Sequence, residues 1–147
     1  MSDKPIRFAG AGCGHIGKRH ADMVLRNPEA ELVAMMDVKP KAELGLTGYD
    51  VPFFSDLEEM LEALPDIDVV NICTPNGLHA SQSLTALKRR KHVVCEKPMG
   101  LSKANCENVI FKALQMSRHV FCVMQNRYSP PSVWLKEMID EERLGDI

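Results

Sequence analysis

Ile6-Arg7-Phe8-Ala9-Gly10-Ala11-Gly12-Cys13-Gly14-His15-Ile16-Gly17 sets a short apolar run against three glycines at G-x-G-x-x-G spacing, and a helical pattern begins where they end. Each glycine has its own mechanical task in a dinucleotide site. Gly12 permits the tight turn off a strand, Gly14 leaves bare backbone for a pyrophosphate, and Gly17 lets the helix pack close to the sheet. The phosphates would rest on unpaired N–H groups at the positive end of that helix. Glycine turns are common, so the context carries the weight. A second apolar run, Leu32-Val33-Ala34-Met35-Met36, ends in Asp37, twenty positions after Gly17. An acid at that distance suits an adenosine ribose. It also repels a 2′-phosphate, which favours NAD over NADP, although Lys39 nearby works against that preference. The competing reading of Asp37 is a turn residue at a strand end.

The 147 residues fit one domain, 45% hydrophobic and 26% charged, as in an ordinary globular protein. A net charge of -2 gives no reason to expect nucleic acid or an anionic membrane as partner. No apolar run approaches the ~20 residues of a spanning helix. Met1-Ser2-Asp3-Lys4-Pro5 lacks the apolar core of a signal peptide, so the expected location is the cytoplasm. The five cysteines are scattered with no C-x-x-C pair, which suggests neither a disulfide frame nor a zinc site. Cys73, Cys95 and Cys122 fall in strand-like runs, where a thiol acts as a small buried hydrophobe. His15 and His20 are five apart and do not share a helix face, so no metal is expected.

Strand-like and helical patterns alternate along the rest of the chain. The first helix is expected from about Ile16 to Asn27, ahead of Pro28, and the second strand over Glu31 to Asp37. A short helix closed by Gly45 or Gly48 follows, then an edge strand over Val51 to Phe54, where Pro52 is tolerable. Asp56 caps a helix with a stripe of Leu57, Met60, Leu61 and Leu64. Val69 to Cys73 reads as a buried strand. Thr74-Pro75-Asn76-Gly77 turns into a helix with Ala80, Leu84 and Leu87 on its core face. The cluster Lys88-Arg89-Arg90-Lys91 is read as cations at that helix's negative end, facing water. His92 to Cys95 is the next strand. Ser102 caps a helix with Cys106, Val109, Ile110, Ala113 and Leu114 as its apolar stripe. Val120 to Met124 is a last strand, and Pro130-Pro131 opens a helix to about Glu142. This alternation predicts an α/β fold with a parallel sheet covered on both faces.

In a doubly wound sheet, ligands bind beyond the carboxyl ends of the strands. Gly12 to Gly17, Asp37, Thr74 to Asn76, Glu96 to Pro98 and Gln125 to Arg127 all follow strand ends, so a site is expected where those loops converge. The glycine loop, Cys73-Thr74-Pro75-Asn76-Gly77-Leu78-His79 and Glu96-Lys97-Pro98 together closely resemble the Gfo/Idh/MocA family of NAD(P)-dependent sugar and polyol oxidoreductases. The resemblance runs from Ile6 to Ile147 and covers that family's first domain only. It implies a doubly wound, mostly parallel Rossmann dinucleotide-binding fold over residues 1–147. The stretch from about 128 to 147 is expected to be a helix leading to a missing C-terminal substrate domain.

The resemblance also implies roles. Lys97 matches the catalytic lysine and stands beside the substrate; alcohol oxidation expels a hydride and a proton, so a base or cation at that oxygen helps. A positive nicotinamide and partial burial would both push a lysine pKa down. Taken alone, Lys97 reads as a surface lysine after a strand. Glu96 resembles the residue that steadies cofactor and lysine, and otherwise it pairs with a neighbouring cation. Pro98 is expected to follow a cis peptide bond. Gly12, Cys13, Gly14, His15, Ile16, Gly17 and Asp37 are expected to bind the cofactor, with Thr74, Pro75, Asn76 and His79 alongside it. His15 meets the pyrophosphate or points to water, and His79 meets the cofactor or is a half-solvated residue at a helix start. Gln125-Asn126-Arg127-Tyr128 resembles a stretch in members that oxidise nucleotide-linked amino sugars, which makes Gln125 and Arg127 candidate substrate residues. Arg127 meets an anionic group or salt-bridges the missing domain.

The expected partner is therefore a sugar or nucleotide-sugar substrate, with NAD as cofactor and a homo-oligomer for full-length members. A histidine normally supplied by the second domain has no counterpart here, so this chain alone is expected to bind cofactor with weak or no turnover. Asp140, Glu141 and Glu142 sit poorly at a helix's negative end and are expected to face a partner. The alternative reading is a non-catalytic NAD-sensing or scaffold protein of the same fold.

Overall fold

The computed structural model describes residues 4–146. Six strands form one parallel sheet: β1 (Ile6–Ala11), β2 (Ala30–Met36), β3 (Phe53–Phe54), β4 (Val69–Ile72), β5 (His92–Cys95) and β6 (Val120–Cys122). Their spatial order is β3-β2-β1-β4-β5-β6, and every neighbouring pair is parallel. The helices between them are α1 (His15–Arg26), α2 (Leu57–Ala63), α3 (His79–Lys88), α4 (Lys103–Met116) and α5 (Pro130–Asp140). Because the strands are parallel, the loops leaving β1, β2, β4, β5 and β6 share one edge of the sheet. The order switches direction between β1 and β4, which opens a crevice there. Pro52 lies beside the edge strand β3, where its missing N–H costs no ladder bond, and its carbonyl accepts from the Met35 amide.

Side-chain alternation divides the core into two layers. Ala9 and Ala11 of β1, Val70 and Ile72 of β4, and Val93 and Cys95 of β5 pack under α2, α3 and α4. On the other face, Leu32 and Met35 of β2 pack with Ala21 and Val24 of α1. Between Phe8 and Ala9 the register with β2 slips by one residue, from Leu32 to Ala34. This bulge at Val33 lets both Val33 and Ala34 join the α2–α4 layer.

Helices lie on both faces of the sheet, as expected: α1 packs on β1, β2 and β4, and a cavity of about 700 Å³ opens on that face, lined in part by Phe8, Val69, Val94 and Phe121. Two other expectations give way. Lys91 does not face water. Arg90 adopts a left-handed φ of 59° that ends α3 and turns the chain under, so Lys91 is buried and its ammonium donates to the Pro65 carbonyl. Burial pushes that lysine's pKa down. In α4, Val109 and Ala113 are buried and Cys106 is half-buried, but Ile110 and Leu114 are exposed. Helix α5 has no buried residue, with Trp134 and Leu135 exposed. The acids near its end are partly answered within the chain, since Asp140 pairs with Lys136 and Glu141 with Arg143.

Candidate functional site

The site begins with the turn from β1 into α1. Gly12 has a φ of 89°, and a Cβ there would lie 2.7 Å from the Cys73 backbone. A Cβ at Gly17 would collide with the Gly12 carbonyl oxygen. Both positions therefore need glycine: one for the turn, the other so that α1 can sit against the strand end. Gly14 is exposed with open space where a side chain would be, and as N-cap it offers α1 no side-chain acceptor. The first turn of α1 holds no acid, so its orphan N–H groups and positive end face outward uncompensated. That combination is a cradle for an anion such as a pyrophosphate.

Asp37, immediately beyond β2, closes the turn on one side. Its Oδ2 accepts the Cys13 N–H at 2.7 Å, and its Oδ1 accepts the Lys39 N–H at 3.0 Å. A carboxylate has about four lone-pair sites, so two remain for ribose hydroxyls. Asp37 lines a cavity of about 390 Å³ with Gly12, Gly14, Thr74, Pro75 and Gln82. Thr74 donates its hydroxyl to Gln82 Oε1 at 2.5 Å.

A second cavity, also about 390 Å³, lies on the α1 side and is lined by Ile16, Arg19, His20, Asn71, Glu96 and Gln125 among others. Asn71 is buried and its Oδ1 has no hydrogen-bond partner. Glu96 accepts from His20 Nε2 at 3.0 Å, and its other oxygen accepts the Lys97 N–H at 3.3 Å. The Lys97–Pro98 peptide is cis. Lys97 is exposed, so the partial burial expected of it is not found. The cavity of about 700 Å³, under the sheet beside Lys4 and Asp66, lies away from these loops.

Two of the expected cofactor contacts do not stand as written. Cys13 is fully buried; its amide is spent on Asp37 and its thiol donates to the Met36 carbonyl at 3.3 Å. Burial, reinforced by Asp37, pushes that thiol up to about 12, so it stays protonated. His79 is 1% exposed, with Nδ1 at 2.7 Å from the Pro98 carbonyl and Nε2 at 2.7 Å from the Thr74 carbonyl. No ring nitrogen is left for a ligand. His15, Asn76 and Arg127 are exposed on the same loops without lining either cavity. Sequence reasoning missed His20 and Gln82. His20 was within reach, because Ile16 and His20 at i, i+4 share a helix face; Gln82 carries no such signal.

The GFO_IDH_MocA family, an oxidoreductase family with an NAD-binding Rossmann fold, matches residues 6–123. The chain is 31% identical over 145 residues to the inositol 2-dehydrogenase of Rhizobium meliloti (strain 1021), covering 97% of this chain and 43% of that protein. It is 29% identical to the D-glucoside 3-dehydrogenase of Escherichia coli (strain K12), covering 100% of this chain and 42% of that one. Among solved structures it is similar to the WlbA dehydrogenase of Chromobacterium violaceum in complex with NADH and UDP-GlcNAcA. There the TM-score is 0.88 with 34% identity, over 99% of this chain and 42% of the other. The scyllo-inositol dehydrogenase of Lactobacillus casei with bound NAD(H) and scyllo-inositol gives a TM-score of 0.84 with 31% identity, over 98% and 43%. The chain thus spans less than half the length of these relatives. It belongs to the GFO_IDH_MocA oxidoreductase family, and NAD is the cofactor of its Rossmann fold.

Proposed function

We propose, from that membership, that residues 1–147 are the NAD-binding domain of a dehydrogenase acting on a secondary alcohol of a sugar, polyol or nucleotide-linked sugar. In the protein that carries it, a substrate domain follows. The observation that carries this reading is the convergence of the glycine turn, Asp37, Thr74 and the Glu96–Pro98 loop on one edge of the parallel sheet, with Lys97 exposed there. Bound NAD supplies the hydride acceptor. The chain's own residues do the rest. The open backbone at Gly14 and the first turn of α1 hold the pyrophosphate, Asp37 grips the adenosine ribose, and Thr74, Pro75 and Asn76 flank the cofactor. Lys97 holds the substrate hydroxyl and receives its proton as the hydride leaves carbon. Gln125 and Arg127, on the 3-10 turn after β6, face the substrate side, and Arg127 offers a cation to a phosphate or carboxylate.

Sugar and inositol chemistry is supported by the relatives named inositol and glucoside dehydrogenases, and a nucleotide-linked sugar by the relative crystallised with UDP-GlcNAcA. A protein carrying these residues ahead of a substrate domain tests the assignment on inositol and UDP-amino sugars. Lys97→Ala should lower kcat by about 10²–10⁴-fold, the range of a lost general base, with little change in NADH affinity. Equal turnover removes Lys97 from the mechanism.

The second reading, an NAD-sensing or scaffold protein, needs the phosphate and ribose contacts but no lysine between Glu96 and Pro98. An intact Lys97, exposed next to Glu96 and with its ammonium bonded to no other described residue, favours the enzyme.

A further inference from the structure

We infer that His20 and His79 are positioning residues that brace the Glu96-Lys97-Pro98 segment from opposite faces of the sheet. His20 projects from α1 and His79 opens α3, and these helices lie on different sides of the strands. Lys97 leaves the end of β5 exposed, yet both of its neighbours are held. On one side, His20 Nε2 lies 3.0 Å from Glu96 Oε1, both side chains being less than one-fifth exposed. A carboxylate only accepts, so Nε2 carries the proton of that bond. The other Glu96 oxygen takes the Lys97 amide itself. The bond from α1 therefore reaches the lysine backbone through one carboxylate.

On the other side, His79 spans two loops. Its nitrogens sit 2.7 Å from the Pro98 and Thr74 carbonyls. Both contacts are of hydrogen-bond length, and carbonyl oxygens only accept, so the ring is the bridging group between the two loops. The clamp thereby ties the end of β4, which borders the cavity that Asp37 lines, to the loop that carries Lys97. The role proposed for the two histidines rests on the reading that Lys97 stands beside the nicotinamide.

Hydrogen exchange on the 147-residue chain reads the brace without any ligand. His20→Leu, and separately His79→Gln, should speed exchange of the Lys97, Met99 and Gly100 amides at least tenfold while β1 and β2 stay protected. Unchanged exchange at that loop, or equal acceleration across the sheet, overturns the brace. The consequence for binding is read by titrating NADH against ADP-ribose, which lacks the nicotinamide. His20→Leu should weaken NADH at least threefold and leave ADP-ribose within twofold, with His20→Gln recovering most of the loss. Equal loss for both ligands reduces His20 to a packing residue and overturns the proposal. A wild-type chain that binds the two ligands equally overturns the placement of Lys97 beside the nicotinamide, and the exchange result then decides the brace on its own.

Discussion

Asp37 does two jobs with one carboxylate. It holds the glycine turn through the Cys13 amide and keeps acceptor sites free toward the cavity it lines with Gly12, Gly14 and Thr74. Hydrogen bonds to a charged group contribute about 1.5–3 kcal/mol each, which is roughly ten- to a hundredfold in affinity. Asp37→Ala should therefore weaken NADH binding at least tenfold by fluorescence titration. Asp37→Asn, which keeps an oxygen for the Cys13 amide, should hold the fold and lose most of the ribose grip. Unchanged affinity in both variants would take the ribose off this residue. The same scale explains two misreadings. Cys13 and His79 stand inside motifs that resemble cofactor loops, but a motif records position in the chain and not which way a group turns. Both spend their polar atoms on the protein.

At the scale of elements, Asp56 is the clearest local signal. Its Oδ1 accepts the Glu58 amide at 2.8 Å and the Glu59 amide at 3.1 Å, satisfying two orphan donors of α2. Asp56→Ala should cost about 1 kcal/mol in urea unfolding and leave NADH affinity alone. A null effect on stability would mean that water replaces the cap. The order of strands and helices was legible because periodicity switches cleanly between apolar runs and helical stripes. The glycine turn was legible for the same reason, since Gly12 and Gly17 have no substitute at their positions. What escaped has physical causes. The bulge at Val33 adds one residue to a uniformly apolar strand, where no pattern marks it. Lys91 is turned under by the left-handed Arg90, and a cationic run does not reveal which member is buried. The stripe on α4 predicts an apolar face, while Ile110 and Leu114 find no neighbour among the described residues to bury them. Glu96 was read as steadying the lysine, but its partner on α1 belongs to the tertiary fold.

For the whole molecule, two buried thiols set a limit in base. Cys13 and Cys95 are fully buried, and burial pushes their pKa values from 9.0 to about 12 and about 11. Above pH 9 the unfolded chain gives up thiol protons that the folded chain keeps, so stability falls as pH rises. It should hold level to about pH 8.5. From pH 9 to 11 it should then drop by up to ~1.4 kcal/mol per thiol per pH unit. Urea midpoints at pH 8, 9.5 and 11 check this, with a Cys13→Ala, Cys95→Ala chain as the control that lessens the slope without abolishing it, since burial also raises Cys73 to about 12. A flat wild-type profile would contradict it.

The site as a whole depends on one arrangement, a dinucleotide laid across the crevice where the strand order turns. Crystals of this chain soaked with NADH test it most directly. The account predicts pyrophosphate density over Gly14 and the first amides of α1, and both hydroxyls of the adenosine ribose within hydrogen-bond distance of Asp37. An adenosine bound elsewhere, such as the apolar cavity beside Phe8 and Phe121, or no ordered cofactor in crystals saturated with it, would contradict it.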